Sequence, residues 1–371
     1  MLYFDHSATT PLRSEVKELM QSINDNNYGN PSSIYALGQK ARSIVETARK
    51  QVADAIGASS DQILFTSSGT ESNNQVLWTL IFSRKKHVIA SAIEHPAVVK
   101  VLKNLGPLGI SYTLLPVNNS GIVNLSALVP ALQKDTELIS IMLANNEVGS
   151  IQPIKETVKI AREYNIPVHT DAVQGLGKIP IDTHFLGVDF LSLSAHKFYG
   201  PKGVGVLFVK DKKKIKSLMI GGSQESGLRA GTENVAGVAG LGLAAKLAND
   251  KLSSHSEHLN KLETIFRKKL NKINPNLVFH GDHHHCLPGV ISVSFPGQKA
   301  NLLMARLDRY GLAVSSGSAC SAGNIAPSAV LNAMNVDDSL NRATLRISFG
   351  AGNTQDDVEE LLSGLKKALK P

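Results

Sequence analysis

The chain has 371 residues, of which 42% are hydrophobic and 19% charged. That balance excludes a disordered chain and exceeds the core of one ordinary domain, so a large and a small unit on one chain are expected. The formal charge of +8 and pI near 9.3 suit acidic partners, but the basic runs at 212–214 and 267–269 are short and read as solvated loop and helix faces. No stripe of Arg and Lys interleaved with aromatics occurs, so direct nucleic-acid binding is not expected.

Strand-like apolar runs alternate with helical periods through the first two thirds. Residues 63–66 read as a strand, followed by SSGTESNN and an apolar-periodic stretch at 75–82. Further strands are expected at 87–92, 110–115, 138–143, 167–170, 190–194 and 204–209, with helices at 96–105 and 154–164. Such alternation predicts an α/β fold with a mostly parallel sheet covered on both faces. The stretch GGSQESGLRAGTEN (221–234) is expected to be a functional loop. One long helix is expected from about 235 to 270. Segments 290–295, 301–310, 345–349 and 356–369 then make a smaller α+β unit, against which the first dozen residues are expected to pack.

No run of about 18 apolar residues offers a membrane span. The opening MLYFDHSATTPL lacks the basic and apolar regions of a secretory leader. Two cysteines, Cys286 and Cys320, make no disulfide framework. A reducing, cytoplasmic setting is therefore expected, where a free thiol does chemistry.

The densest chemical signal is SAHKFYGPKG (194–203), where Lys197 follows a strand end and precedes a Gly-Pro turn. A buried lysine of lowered pKa forms Schiff bases, and strand ends are where open α/β sheets bind ligands. In VHTDAVQ (168–174), Asp171 directly follows an apolar strand. A carboxylate there either caps a helix or holds a protonated pyridine nitrogen. TSSGTESNN (66–74) has the strand–turn–helix form that holds a phosphate, although capping by Ser68 or Thr70 explains it equally. His95, in IEHPAV, stands between a strand and a helix begun by Pro96, placed to stack on a planar ring or shuttle protons. Cys320 lies among small residues in VSSGSACSAG (314–323), which predicts an accessible thiol. Cys286 adjoins His283, His284 and His285. Adjacent side chains diverge, so no metal site is expected there.

With these pieces in order, the chain resembles the cysteine desulfurases, pyridoxal-phosphate (PLP) enzymes of fold type I in the class V aminotransferase superfamily. GNPSS (29–33), SGTES, EHPAV, NNEVG (145–149), DAVQ, SAHKFYGPKG, RAGTEN (229–234) and SSGSACSAG carry the likeness, nearly end to end. The Cys segment resembles the group with the longer catalytic loop, which serves iron–sulfur assembly and thiolation. The resemblance implies a large PLP-binding domain at 14–255 with a mostly parallel seven-stranded sheet. It also implies a small α+β domain, 1–13 with 256–371, that carries the Cys loop. Lys197 would carry PLP covalently and move protons at the substrate. Asp171 would pair with the pyridine nitrogen, Gln174 and Asn146 would bond the ring hydroxyl, and His95 would stack on the ring. Gly69, Thr70, Ser194 and His196 would hold the phosphate, with Thr232 donated by the other subunit of a homodimer. Arg346 would grip the substrate carboxylate. The reaction implied takes sulfur from L-cysteine, leaving L-alanine and a Cys320 persulfide for a sulfur-acceptor protein.

Two positions depart from the family pattern: Tyr35, where a His is common, and 350–354, where GAGNT replaces Gly-Arg-Phe-Thr. Selenocysteine lyase, a class V aminotransferase, a sulfur donor for tRNA or DNA thio-modification and a non-catalytic assembly scaffold are the alternatives.

Overall fold

The computed structural model describes residues 1–282, 284–317 and 327–370. A two-residue strand, β1 (Leu2–Tyr3), opens the chain. Seven runs then form the central sheet: β2 (Ile63–Thr66), β3 (His87–Ser91), β4 (Ser111–Leu115), β5 (Thr136–Ser140), β6 (Val168–Asp171), β7 (Phe190–Ser194) and β8 (Gly205–Val209). Their order is β2-β8-β7-β6-β5-β3-β4. β8 is antiparallel to both its neighbours, and every other neighbouring pair is parallel. β3, β7 and β8 are buried throughout, as strands sandwiched between helices must be, and β8 reads as an unbroken apolar run. Only the edge strand β4 exposes most of its residues. The expected strand at 138–143 ends at Ser140, although Ile141 and Leu143 still donate to the carbonyls of His169 and Asp171.

Helix Ala36–Ala55 buries Ala41, Val45, Ala48 and Val52, one stripe at spacings of three and four. Helix Val235–Asp250 is buried on nearly every side. Gly242 permits the close approach of the two, because a Cβ there would lie 2.6 Å from the Ala48 Cα. The single helix expected over 235–270 is two, Val235–Asp250 and Leu252–Ile273, broken at Lys251 (φ −103°, ψ 10°). Asn249 and Asp250, short polar side chains that favour helix ends, precede the break. The two helices serve different cores, which one straight rod would not.

The second core gathers Phe4 with Leu259, Phe266, Phe295, Leu307 and Phe349. It lies on the antiparallel strands β9 (Val278–His280), β10 (Val290–Ser294) and β12 (Thr344–Ser348), in order β12-β10-β9, while β11 (Leu312–Ala313) pairs in parallel with β1. Phe4 and β1 thus pack on this second core, while Thr9 and Thr10 bond His196 beside the central sheet. Val330, Leu331 and Met334 instead join the first core. Among the described residues no helix is long and apolar enough to cross a membrane.

Gly242→Val should overpack this helix contact and cost about 1–3 kcal/mol, measured as a lowered urea midpoint. An unchanged midpoint would contradict the close approach.

Candidate active site

Asp171 is the last residue of β6, and Lys197 ends a short turn (Ala195–Lys197) that follows the neighbouring parallel strand β7. Both therefore arrive at the same, C-terminal edge of the sheet, where open α/β sheets bind ligands. They line one cavity of about 380 Å³ together with Gly69, Thr70, His95, Asn146, Gln174, Ser194, His196 and Arg346. Ten of the twelve residues singled out from the sequence meet there. Thr232 lines a separate cavity with Ser67 and Arg229. Cys320 lies outside the described residues, as does His283.

Each of these groups is held by identifiable neighbours. Asp171 is 6% exposed; its Oδ2 accepts from Asn73 Nδ2 at 2.6 Å and its Oδ1 from the Val173 N–H at 3.0 Å. Both bonds stabilise the anion in a buried place. Lys197 Nζ donates to the carbonyls of Ser7 and Ala8 at 2.7 and 2.6 Å. His95 caps helix Pro96–Leu105, its Nδ1 accepting from the Ala97 N–H at 3.1 Å. The neutral ring therefore carries its proton on Nε2. Burial holds its pKa below the usual value, against the pull of Asp171 and with help from the Lys197 charge. His196, whose Nδ1 meets Thr9 Oγ1 at 3.1 Å, is pushed down to about 4 by burial and by Lys197 and Lys202.

The helix Gly69–Thr79 aims its start at the cavity. Ser68 Oγ accepts from the Glu71 N–H at 3.2 Å, and the first N–H groups of any helix lack partners within it. A Cβ on Gly69 would lie 2.5 Å from Val173 Cγ2, so only glycine allows the turn to pack this close to β6. In NNEVG, Asn145 Oδ1 accepts from the Glu147 and Val148 N–H groups and Gly149 takes φ 77°. This tight turn presents Asn146 to the cavity. Arg346, on β12, reaches in from the second core; it donates to Asp5 Oδ1 at 2.7 Å and to the Asn146 carbonyl at 3.1 Å, and its buried Nε has no partner.

Several residues that shape the site escaped the sequence reading: Asp5 on Arg346, the Ser7 and Ala8 carbonyls on Lys197, Asn73 on Asp171, and two buried carboxyls. Glu94 accepts from Ser91 Oγ at 2.5 Å and the Met142 N–H at 2.8 Å, and burial pushes it up to about 8, with Asp171 adding to the rise. Glu147 accepts from Ser328 Oγ at 2.5 Å and is pushed up to about 7 by burial. Asn73 alone had a local signal, lying one helical turn beyond Gly69 in a motif already noted. Burial pushes the Cys286 thiol up to about 11, so it is un-ionised at neutral pH and a poor nucleophile.

These residues fit PLP. A helix start beside the hydroxyls of Thr70 and Ser194 suits its phosphate, a buried carboxylate suits a protonated ring nitrogen, and a lysine suits its aldehyde. The unpartnered Arg346 Nε leaves a donor for a substrate carboxylate.

Three buried histidines give a separate test. His6, His169 and His280 are pushed by burial to about 4, 3 and 4, below the ordinary 6.5. Between those values and 6.5 the unfolded chain binds protons that the folded one refuses. Each residue therefore lowers stability as pH falls through that window, by up to about 1.4 kcal/mol per unit. Ring NMR signals of these three should stay fixed from about pH 8 to about pH 5; midpoints near 6.5 would contradict their burial.

The aminotransferase class-V family model matches residues 2–361. The chain is 45% identical over 372 residues to the cysteine desulfurase IscS of Dictyoglomus turgidum, covering all of this chain and 94% of that one. A solved NifS-like protein superposes with TM-score 0.94 at 38% identity, covering 99% of each chain. The structure of SspA in complex with cysteine gives TM-score 0.83 at 34% identity, over 95% of this chain and 100% of that one. The chain belongs to the class-V aminotransferase family and, within it, to the cysteine desulfurases.

Proposed function

We propose that this enzyme carries PLP on Lys197, takes the sulfur of L-cysteine onto Cys320 and releases L-alanine. The observation that carries the reading is the meeting of Lys197, Asp171 and Arg346 in one cavity. PLP, when bound, supplies an electron sink for the carbanion left at the substrate α-carbon. Asp171 would hold the ring nitrogen protonated, while Asn146 and Gln174 would meet the ring oxygen. Gly69, Thr70, Ser194 and His196 would hold the phosphate, completed by Thr232 of a second subunit. Exposed Ile34, Tyr35 and Ile220 (90%, 57% and 92%) are apolar groups that such a homodimer would cover.

Arg346 would exchange its bond to Asp5 for the substrate carboxylate, a bidentate task that Lys cannot perform as well. The Lys197 amine then removes the α-proton and returns a proton to carbon. His95, neutral and protonated on Nε2, is placed to stack on the ring and move protons. The Cys320 thiolate attacks the substrate sulfur; the carbon–sulfur bond breaks as the sulfur–sulfur bond forms, and the carbon takes up a proton to become alanine. One cysteine and one thiol thus give one alanine and one persulfide. A reducing cytoplasm keeps that thiol free, and an acceptor protein for iron–sulfur assembly or thiolation would take the sulfur. We further read 14–255 as the PLP-binding domain, and 1–13 with 256–371 as the domain that brings Arg346 and Cys320 to it.

Incubation with L-cysteine should add one sulfur to the Cys320 peptide, read by mass. Cys320→Ser should abolish the addition while leaving the near-visible cofactor absorbance intact. Sulfur found on Cys286, or full sulfur release by Cys320→Ser, would contradict the proposal.

A further inference from the structure

Lys178 lies four residues beyond Gln174 and is only 6% exposed. Its ammonium donates to Gln174 Oε1 at 3.0 Å, and Gln174 Nε2 donates to the Ser7 carbonyl at 2.9 Å. That same carbonyl accepts from Lys197 at 2.7 Å. Two lysines are thus joined through one amide and one carbonyl. The orientation of a glutamine amide is often open, but here its partners settle it. A carbonyl only accepts, so Nε2 must face Ser7 and Oε1 is left to face Lys178, whose amine donates to it in either charge state. With Oε1 held toward Lys178, Gln174 keeps a second N–H to offer the cavity it lines.

We infer that Lys178 is a positioning residue which locks Gln174 as a donor, so that the site offers the ring oxygen of the bound cofactor an N–H and not a carbonyl. The inference rests on the PLP reading above and deepens it. A donor on the ring oxygen stabilises it as an anion and weakens its hold on a proton at the neighbouring cofactor–lysine nitrogen. A nearby cation acts in the same direction. The charged groups facing Lys178 are Lys197 and Arg346 on the cavity side and His6 on the N-terminal segment. Across a small void stand Arg13, Tyr199, Lys251 and His255. Burial, then Lys197 and Arg346, push Lys178 down to about 7. It keeps the clamp in either state near that pH only as long as its amine still donates to Oε1, which both forms can do.

The test is the pH midpoint of the near-visible absorbance of the Lys197-linked cofactor. Lys178→Met should raise it by about one unit. Gln174→Glu keeps a partner for Lys178 but has no N–H to give, and should also raise it. In a Gln174→Leu background, Lys178→Met should move the midpoint far less than it does alone, because both changes remove one interaction. A midpoint unmoved by Lys178→Met, or shifts that add in full, would overturn the inference. If Lys178→Met does not fold, an unmoved midpoint in Gln174→Glu would overturn it equally. A wild-type protein with no near-visible band when mixed with PLP would instead sink the cofactor reading.

Discussion

Keeping a carboxylate charged inside a protein is the constraint on which this site depends. A carboxyl removed from water and met by no donors takes up a proton, and a neutral acid cannot hold a pyridine nitrogen protonated. Asn73 and the Val173 N–H supply those donors. Glu94 shows the contrast: it is equally buried, has an oxygen with no partner and is pushed up to about 8, so it is neutral near pH 7. Burial thus outweighs the two hydrogen bonds that Glu94 accepts, and neutral Glu94 spares Asp171 a second negative charge.

The same economy of charge extends to the cations. Carbonyl dipoles of Ser7 and Ala8 steady Lys197, and Asp5 steadies Arg346. All three residues come from the N-terminal segment, whose Phe4 is rooted in the second core. That segment therefore links the element carrying Arg346 to the sheet edge carrying Lys197. The second core matters to the chemistry because it fixes these carbonyls and this arginine relative to β6 and β7.

Much of this was legible in the sequence. Alternating apolar runs gave the sheet because strands buried on both faces cannot hide their composition. The turns holding Gly69, His95 and Lys197 were legible because each has its own local chemistry of caps, prolines and glycines, whereas Asn146 came only from the family resemblance. Asp5, Ser7 and Ala8 were not, since their roles exist only when segments 189 to 341 residues apart meet. A carbonyl in particular carries no side-chain signature. The break at Lys251 was missed for a related reason: helical propensity runs through it, and only the demands of two separate cores divide the helix there.

The central claim, that the groups gathered at the sheet edge serve a cofactor anchored at residue 197, is tested most directly by reducing the PLP-loaded protein with borohydride and locating the pyridoxyl group by peptide mass. The label should fall on Lys197 alone. A label on buried Lys178, or on scattered surface lysines with none at 197, would contradict the account.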